Sequence, residues 1–460
     1  MQKLSMQKLS IQKLSIQNFG PIVRADIQIE DFMVLIGPQA SGKSTISKSI
    51  YLFKSLKDDL VRYIIDTIEE NSRLTEPATA FKKKIRTKFV SFWGTTKHLS
   101  QFRLEYTYGF NKTITLFLDR GYVKAEFSQI FHDELHNIFT ETLNFIKKKQ
   151  NINKTFASAS EIIASDSEKK AFYRKIENLV NTLFEDDRLP LYIPAGRSLL
   201  STLSDPLQKM LLTRIVGQGS EKNGDVDPYL LDYSLKAFIE RISNSKNGYN
   251  QNLEAVIKDR AKYTNEPTDK ESLKIVLEIF DKILKGRYRF DKDGEKVLLQ
   301  NSDKFIKLSF ASSGQQEVVW ILLQIFSIVL NRTKVFMVIE EPEAHLFPVA
   351  QNDIVELICL LSNLNNNQIM ITTHSPYILS SLNNFIYAGK LGKTKSLAVS
   401  KLVNKKVWLD PEKVSAFYIE NGILDNIIDD ELQLIKAEEI DRASSLINQQ
   451  FNDLFELDLT

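Results

Sequence analysis

Three short runs of apolar residues, each ending in a polar cluster, set the pattern of this chain. They read FMVLI at 32–36, VFMVI at 335–339 and QIMITT at 368–373. Short, nearly unbroken apolar runs are typical of strands that are buried on both faces of a parallel sheet. The pattern therefore predicts an α/β fold in which helices cover a central sheet.

Further strand patterns lie nearer the beginning of the chain. We predict a first strand at 13–19, and three closely spaced strands at 102–108, 113–118 and 122–127. Residues from 45 onward read as a long helix. These patterns indicate a mixed sheet with an antiparallel portion beside the parallel strands.

Composition sets the size of the core and excludes several classes of protein. Of the 460 residues, 43% are hydrophobic, which is enough for a large core. One cysteine, Cys359, excludes an intramolecular disulfide and a zinc site built from cysteines. The first 15 residues lack the apolar stretch of a signal peptide, and the apolar segment 318–330 is too short to span a membrane. We therefore expect a buried helix at 318–330 and a cytoplasmic protein without membrane contact.

Charge leaves contact with nucleic acid open. The net charge of +2 does not mark the whole chain as a nucleic-acid binder, but basic runs lie at 82–88 and 147–149. Such runs are either solvated faces or contacts for a phosphate backbone. We keep nucleic acid as a possible partner.

The first polar cluster is a phosphate-binding motif. GPQASGKST follows the strand at 32–36 and opens a helix, which is the context that phosphate binding requires. We expect Lys43 to reach the β- and γ-phosphates of ATP and Ser44 to bind Mg²⁺. The alternative is a glycine-rich turn with a solvated lysine. The predicted nucleotide-binding residues are Gly37, Pro38, Gln39, Ala40, Ser41, Gly42, Lys43, Ser44 and Thr45.

The second cluster is a pair of carboxylates at the end of the run at 335–339. Ligands of open α/β sheets lie at the carboxyl ends of the strands. Glu340 is therefore predicted to hold Mg²⁺, through water or directly, and Glu341 to orient and deprotonate the attacking water. A solvated strand end is the alternative.

The third cluster, TTHSP, contains His374. An imidazole at a strand end beside the γ-phosphate can donate a hydrogen bond to phosphoryl oxygens and so sense hydrolysis. A structural histidine is the alternative. Its position in the ordered series of motifs favours the functional interpretation.

In this order, the motifs resemble those of ABC-type ATPase heads, and ASSGQQ at 311–316 resembles the signature motif of that class. Ala311 and Ser313 stand where the usual motif has leucine and glycine. The resemblance implies that Ser312, Ser313, Gly314 and Gln315 contact the ATP bound by an opposing copy of the chain. The copies would form a homodimer or a higher homo-oligomer with shared sites. An ordinary Ser/Gly helix start is the alternative.

EEPEAHLFP, together with TTHSP, is similar to the OLD, RecF and SMC-related branch of these heads. A long segment separates Lys43 from the signature, and it lacks the sustained heptads of a coiled coil, so we expect a compact helical insertion. The predicted parts are the N-terminal part of the head at 13–127, helical insertion at 128–187, a head strand at 188–205, continued insertion at 206–290, the C-terminal part of the head at 291–402, and a closing strand with helices at 403–460.

Within the head strand, LPLYIPAGRS ends in a turn that contains Arg197. Two interpretations stay open for this residue. Arg197 reaches phosphate or the dimer interface, or it is a surface arginine.

The resemblance extends to stand-alone ATPases of bacterial anti-phage systems such as Septu and PARIS, which work with a separate nuclease or toxin. We identify no nuclease site in this chain, and we therefore expect a separate effector protein. An ATP-driven switch is the leading hypothesis. The alternatives are a RecF-like ATPase of DNA repair and a nucleotide-gated scaffold with little turnover.

Overall fold

The computed structural model describes most of the chain. The described residues are 11–70, 76–96, 99, 101–152, 159–202, 233–246, 252–263, 269–291, 294–300, 302, 304–436 and 448–457. Residues 206–232 of the predicted helical insertion lie outside them.

The strands form a mixed sheet of eleven strands and a small sheet of three. Their bounds are β1 Lys13–Phe19, β2 Ile22–Gln28, β3 Phe32–Ile36, β4 Arg103–Gly109, β5 Lys112–Asp119, β6 Tyr122–Phe127, β7 Leu189–Ile193, β8 Gly286–Asp291, β9 Gly294–Leu299, β10 Phe305–Lys307, β11 Val335–Glu340, β12 Gln368–Thr373, β13 Val414–Glu420 and β14 Ile423–Asn426. The large sheet has the order β6-β5-β4-β1-β2-β14-β13-β3-β12-β11-β7, and the small sheet is β10-β9-β8.

Helices surround the large sheet. Their bounds are α1 Lys43–Glu69, α2 Pro77–Trp93, α3 Gln129–Ile152, α4 Ala159–Leu183, α5 Ser198–Thr202, α6 Tyr233–Lys246, α7 Leu253–Tyr263, α8 Lys270–Leu284, α9 Ser313–Asn331, α10 Pro348–Ser362 and α11 Pro376–Val399. A further helix covers 448–457.

The sheet divides into an antiparallel and a parallel half, as the strand patterns predict. Strands β2, β1, β4, β5 and β6 pair in antiparallel fashion. Strands β13, β3, β12, β11 and β7 run parallel to one another. The mixed α/β fold is therefore confirmed, and the parallel half has all its carboxyl ends at one edge.

Buried side chains lie on both faces of the parallel half. In β3, Phe32, Val34 and Ile36 belong to one hydrophobic cluster. Met33 and Leu35 belong to another, on the opposite face. Burial of each such side chain contributes about 1.5–3 kcal/mol to the free energy of folding. Because both faces of β3 are buried, the strand needs an apolar residue at every position.

One boundary of the predicted insertion is wrong. Its second part was expected to be helical up to residue 290, but β8 begins at Gly286 and pairs with β9 in an antiparallel hairpin. Gly286 and Tyr288 are buried and their neighbours are not, which is the period of a strand. The division of the chain into parts otherwise stays a prediction.

The predicted buried helix at 318–330 is confirmed. It lies within α9, the one described helix that is long and apolar enough to cross a membrane. Of its most apolar window, 83% is buried inside the protein. The hydrophobic surface of α9 therefore packs against its own chain.

Candidate nucleotide site

Two glycines shape the phosphate loop between β3 and α1. Gly37 has φ +155° and Gly42 has φ +113°. A Cβ at Gly37 would lie 2.3 Å from the backbone oxygen of Ile419, and one at Gly42 would lie 2.4 Å from Cδ1 of Ile22. Backbone contact excludes a side chain at Gly37, and the positive φ disfavours one at Gly42. The backbone can therefore turn into the N-terminus of α1, where anions bind.

The Lys43 side chain folds into its own loop. Its Nζ donates hydrogen bonds to the backbone oxygens of Gly37 at 2.8 Å and Pro38 at 2.7 Å. Burial lowers the pKa of Lys43, and the charges of Glu341, Glu343 and Glu340 oppose that change. All three carboxylates lie at the end of β11 or within three residues after it. The predicted alternative, a solvated lysine, is wrong, because Lys43 is buried.

Strand register brings the three polar clusters to one edge. Ile36 of β3 is opposite Thr373 of β12, and Glu340 of β11 is opposite Thr372. The residues that follow these strands, including His374, therefore lie side by side. The sequence places them far apart, but the parallel pairing makes them neighbours.

Glu340 is a buried carboxylate rather than a solvated strand end. Its Oε1 accepts a hydrogen bond from the hydroxyl of Tyr192 at 2.8 Å, and its Oε2 accepts one from the backbone N–H of Ala195 at 3.1 Å. The Tyr192 hydroxyl also lies 3.0 Å from Oγ of Ser47 in α1. A short hydrogen-bonded chain therefore connects Glu340 to the helix of the phosphate loop.

Glu341 faces His374 across the edge. Its Oε1 lies 3.5 Å from Nε2 of the imidazole, and the two side chains are 40% and 34% exposed. The backbone of Glu341 has φ +45°, in the left-handed region that residues other than glycine seldom adopt. The neighbouring β12 holds it there, since the Glu341 N–H donates to the oxygen of Thr372 at 2.9 Å.

Sequence reasoning did not single out Glu343, the third acid of EEPE. Its Oε1 accepts hydrogen bonds from Oγ1 of Thr373 at 2.7 Å and from the backbone N–H of His374 at 2.8 Å. Glu343 therefore fixes the turn that carries His374. Glu343 lies two residues after Glu341, and this spacing is the feature of the sequence that indicates a third acid at the site. Ser47 and Tyr192, by contrast, carry no recognisable motif of their own.

The signature segment begins α9. Ser312 is its N-cap: Oγ of Ser312 accepts from the N–H of Gln315 at 3.4 Å, and Oε1 of Gln315 accepts from the N–H of Ser312 at 3.1 Å. Ser312 and Ser313 are exposed, whereas Gly314 is buried. A Cβ at Gly314 would lie 2.6 Å from the backbone oxygen of His345, so the helix start packs on the loop after Glu341. Its contact with a second nucleotide stays a prediction.

Arg197 is not a surface residue, so one of the two interpretations left open for it is wrong. Its side chain is 0% exposed and forms an ion pair with Glu317 of α9. Its guanidinium also donates to the backbone oxygens of Pro194, Glu340 and Glu341. With the bond from Nε to the backbone oxygen of Glu317, these bonds use four of the five N–H donors of the guanidinium. They add no support for phosphate contact, which stays a prediction together with contact at the dimer interface.

Four of the five basic residues of the run at 82–88 contact other side chains of the protein, and the fourth of these contacts places Lys84 over the ring of Tyr63. Lys88 is buried and forms an ion pair with Asp59. Lys82 lies over the ring of Phe127 and Arg86 over the ring of Tyr122. Lys83 and Lys84 are exposed. This arrangement gives the basic run a packing role and does not add support for nucleic acid.

The residues at the edge fit a nucleotide and a divalent cation. Among the described residues, Oγ of Ser41 and Oε2 of Glu343 are buried side-chain oxygens that have no hydrogen-bond partner. A hydroxyl on a glycine loop suits a phosphate oxygen, and Ser44 is exposed at the start of α1. Hydroxyl and carboxylate oxygens are the ligands that Mg²⁺ prefers.

A mixed sheet flanked by helices, with a phosphate loop between a central strand and its helix, is the fold of a P-loop ATPase. The family described as AAA ATPase domain matches residues 10–379, and the chain therefore belongs to that family. A search of curated proteins gave no match.

The chain is also similar to three solved SMC head structures, each at 12% identity over 91% of this chain. They are an SmcHead bound to the C-winged helix domain of ScpA (96% of that chain, TM-score 0.41), the SMC head domain from Thermotoga maritima (98%, TM-score 0.34), and an Smc head domain with an extended coiled coil bound to the C-terminal domain of ScpA derived from Pyrococcus furiosus (95%, TM-score 0.39).

Proposed function

We propose that this protein is an ATP-hydrolysing switch of the ABC type, in which two copies close on two ATP molecules. The observation that carries the proposal is the alignment of the phosphate loop, Glu340, Glu341 and His374 at one edge of the parallel strands. A phosphate site, a buried carboxylate and a carboxylate–imidazole pair at one strand edge are the parts that phosphoryl transfer to water needs.

Each group at the edge has a distinct role in this proposal. Lys43 leaves the carbonyls of its loop and binds the β- and γ-phosphates. Ser44 and Glu340 would hold Mg²⁺, which would neutralise phosphate charge when bound. Each Glu340 oxygen accepts one hydrogen bond and keeps a lone pair for the ion or for a water bound to it. Glu341 orients the attacking water and accepts its proton, and His374 donates to a γ-phosphate oxygen.

Exposed apolar residues beside the edge support closure against a second copy. Phe310 precedes the signature and is 80% exposed, while Phe347 follows the loop after Glu341 and is 75% exposed. Val349 and Tyr377 are also exposed. Large apolar side chains around an exposed Ser312 and Ser313 are what a shared site would cover.

The proposed output is a signal to a separate effector, a nuclease or toxin, in defence against phage in the cytoplasm. The motifs EEPEAHLFP and TTHSP support this role by their resemblance to the stand-alone ATPases of such systems. Two of the solved SMC heads are bound to a domain of ScpA, a separate protein. ATP binding would close the dimer and hydrolysis would open it, and each state would differ in its contact with the effector.

Steady-state ATP hydrolysis tests the enzymatic part of the proposal. The wild-type chain is expected to release phosphate, and Lys43→Ala is expected to abolish both release and binding of a fluorescent ATP analogue. A strong stimulation by DNA would favour a RecF-like repair ATPase. Absence of turnover, with ATP binding intact, would favour the nucleotide-gated scaffold and contradict the switch.

A further inference from the structure

A buried ion pair joins the signature helix to the turn after β7. Nε of Arg197 lies 3.3 Å from Oε2 of Glu317, and the two side chains are 0% and 2% exposed. The Glu317 carboxylate also accepts hydrogen bonds from the backbone N–H groups of Arg197 and Ser198, each at 3.1 Å. Glu317, in the second turn of α9, therefore fixes both the side chain and the backbone of Arg197.

The same guanidinium holds the end of β11. It donates to the backbone oxygen of Glu340 at 2.6 Å and to that of Glu341 at 3.0 Å. A third bond goes to the backbone oxygen of Pro194 at 2.9 Å. One planar group therefore contacts the signature helix, the β7 turn and the backbone of Glu340, the candidate metal ligand, and of Glu341, the candidate catalytic base.

Stability alone is a weak explanation for an ion pair at this depth. Buried ion pairs are often no more stabilising than apolar side chains of similar volume, because desolvation offsets their attraction. An arginine, however, presents several donors in a rigid fork, so it fixes the relative positions of the groups that it contacts. Here those groups are α9 and the strand end that carries Glu341.

We propose that Arg197 is a positioning residue that couples the two ATP sites of the dimer. The inference rests on the proposed function, in which the signature of one chain contacts the ATP of the other chain. Glu341 serves the ATP of its own chain. Movement of the α9 N-terminus therefore passes through Glu317 and Arg197 to the backbone of Glu341, and binding at one site affects hydrolysis at the other.

The variant Arg197→Lys tests this link. A single ammonium group keeps the charge opposite Glu317 but cannot reproduce the fork to three backbone oxygens. The matched control is Arg188→Lys, at the opposite end of β7, where Arg188 also bonds a backbone oxygen and a carboxylate. The affinity of each isolated variant for ATP is expected to stay within about twofold of that of wild type. This measurement distinguishes a positioning role from the loss of the ATP site.

Purified heterodimers then show whether Arg197 affects the site that contains Glu341 of its own chain, the site that receives the signature of its own chain, or both. The reference pairs Lys43→Ala with Ser312→Arg and leaves one wild-type site. Pairing Arg197→Lys with Lys43→Ala leaves one site whose Glu341 lies in the Arg197→Lys chain. Pairing it with Ser312→Arg leaves one site whose signature comes from the Arg197→Lys chain.

Coupling predicts that both test pairs hydrolyse ATP at least about fivefold more slowly than the reference, while pairs with Arg188→Lys match it. If either test pair equals the reference, Arg197 affects only one of the two ATP sites and the coupling is refuted. If Arg197→Lys does not fold, Glu317→Gln in the same pairs carries the same expectation. An inactive reference, with heterodimers proven, refutes the shared site and this inference with it; an active reference with unaffected test pairs refutes this inference alone.

Discussion

Oε1 of Glu341 lies 3.5 Å from Nε2 of His374. The two residues follow neighbouring strands, β11 and β12, whose register fixes the distance between them. Glu341 keeps a left-handed backbone, which costs about 1–3 kcal/mol in a residue other than glycine. Hydrogen bonds from its own N–H to Thr372 and from Arg197 to its oxygen hold that conformation. The backbone therefore positions the contact between Glu341 and His374, which does not depend on flexible side chains alone.

Glu341→Gln should slow ATP hydrolysis by at least about 100-fold, because an amide cannot accept the proton of the attacking water. Binding of ATP should persist, since the phosphate loop is unchanged. Phosphate release and fluorescent-analogue binding measure the two properties. Glu278→Gln, at an exposed position in α8, is the control. Equal turnover in wild type and Glu341→Gln would remove Glu341 from the mechanism.

Tyr192→Phe removes the hydroxyl that bridges Glu340 and Ser47. Because the buried carboxylate then loses a donor, we expect turnover to fall about tenfold and half-saturation to need more Mg²⁺. Titration of activity with Mg²⁺ gives both values. Tyr51→Phe is the control, since its ring lies 5.1 Å from that of Tyr192 but its hydroxyl is not part of the bridge. An unchanged Mg²⁺ requirement would show that the bridge does not position Glu340.

Glu343→Ala should release the turn that carries His374, because it removes the acceptor for the Thr373 hydroxyl and the His374 N–H. We expect turnover to fall by about 10-fold or more. Glu343→Gln retains a carbonyl oxygen for the same two bonds and should recover part of the activity. If the alanine and glutamine variants are equally impaired, the charge of Glu343 matters more than its hydrogen bonds.

Asp58 should make stability depend on pH. It lines a cavity of about 430 Å³ with Tyr51, Lys88 and Tyr192, and burial raises its pKa to about 6. A raised pKa in the folded state means that the contribution of this group to stability is present at low pH and is lost as the pH rises through 6. Asp58→Asn should therefore be more stable than wild type at pH 8 and equal to it near pH 3.

Because the Asp58 side chain is 42% exposed, solvent screening reduces the expected gain to about 1 kcal/mol. Denaturant unfolding at both pH values measures it. Asp453→Asn, at an exposed position in the helix 448–457, is the control for the loss of one carboxylate. A gain that is the same at both pH values would contradict the titration of Asp58.

Phe347→Glu should prevent ATP-dependent dimerisation, because a charge would be buried when the two heads close. The experiment uses Glu341→Gln protein with ATP, in which hydrolysis cannot reopen the dimer, and light scattering measures its mass. Leu397→Glu, on α11, replaces a residue of comparable exposure as the control. A dimer of Phe347→Glu, with ATP bound, would place the interface elsewhere.

The parallel strands could be predicted from sequence because burial on both faces of a strand leaves a local pattern, which is a short apolar run followed by a polar motif. The positions of the phosphate loop, Glu340, Glu341 and His374 at the ends of these strands were predicted in this way. The bounds of β1 and of β3, at 13–19 and 32–36, were also predicted to the residue.

Other features depend on contacts between distant segments, which a single sequence does not encode in a local pattern. Tyr192 looked like one apolar residue of a strand, and only the pairing of β7 with β11 places it on Glu340. The contacts of Arg197 could not be predicted for the same reason, because its partner Glu317 lies far along the chain, inside an apolar helix. The strand β8 was missed because its alternation is short and follows a helix directly.

The central claim is that one ATP site needs two copies of the chain. Lys43→Ala and Ser312→Arg should each be inactive alone, yet their heterodimer contains one intact site. An equal mixture with random pairing should therefore regain hydrolysis, to about a quarter of wild type for independent sites and to less for coupled sites. Differential tags on the two chains prove that heterodimers form. Because Ser312 caps α9, the Ser312→Arg chain is first shown to melt within a few degrees of wild type. Recovered hydrolysis in the mixture is the predicted result; no recovery, with heterodimers proven, would contradict a shared site.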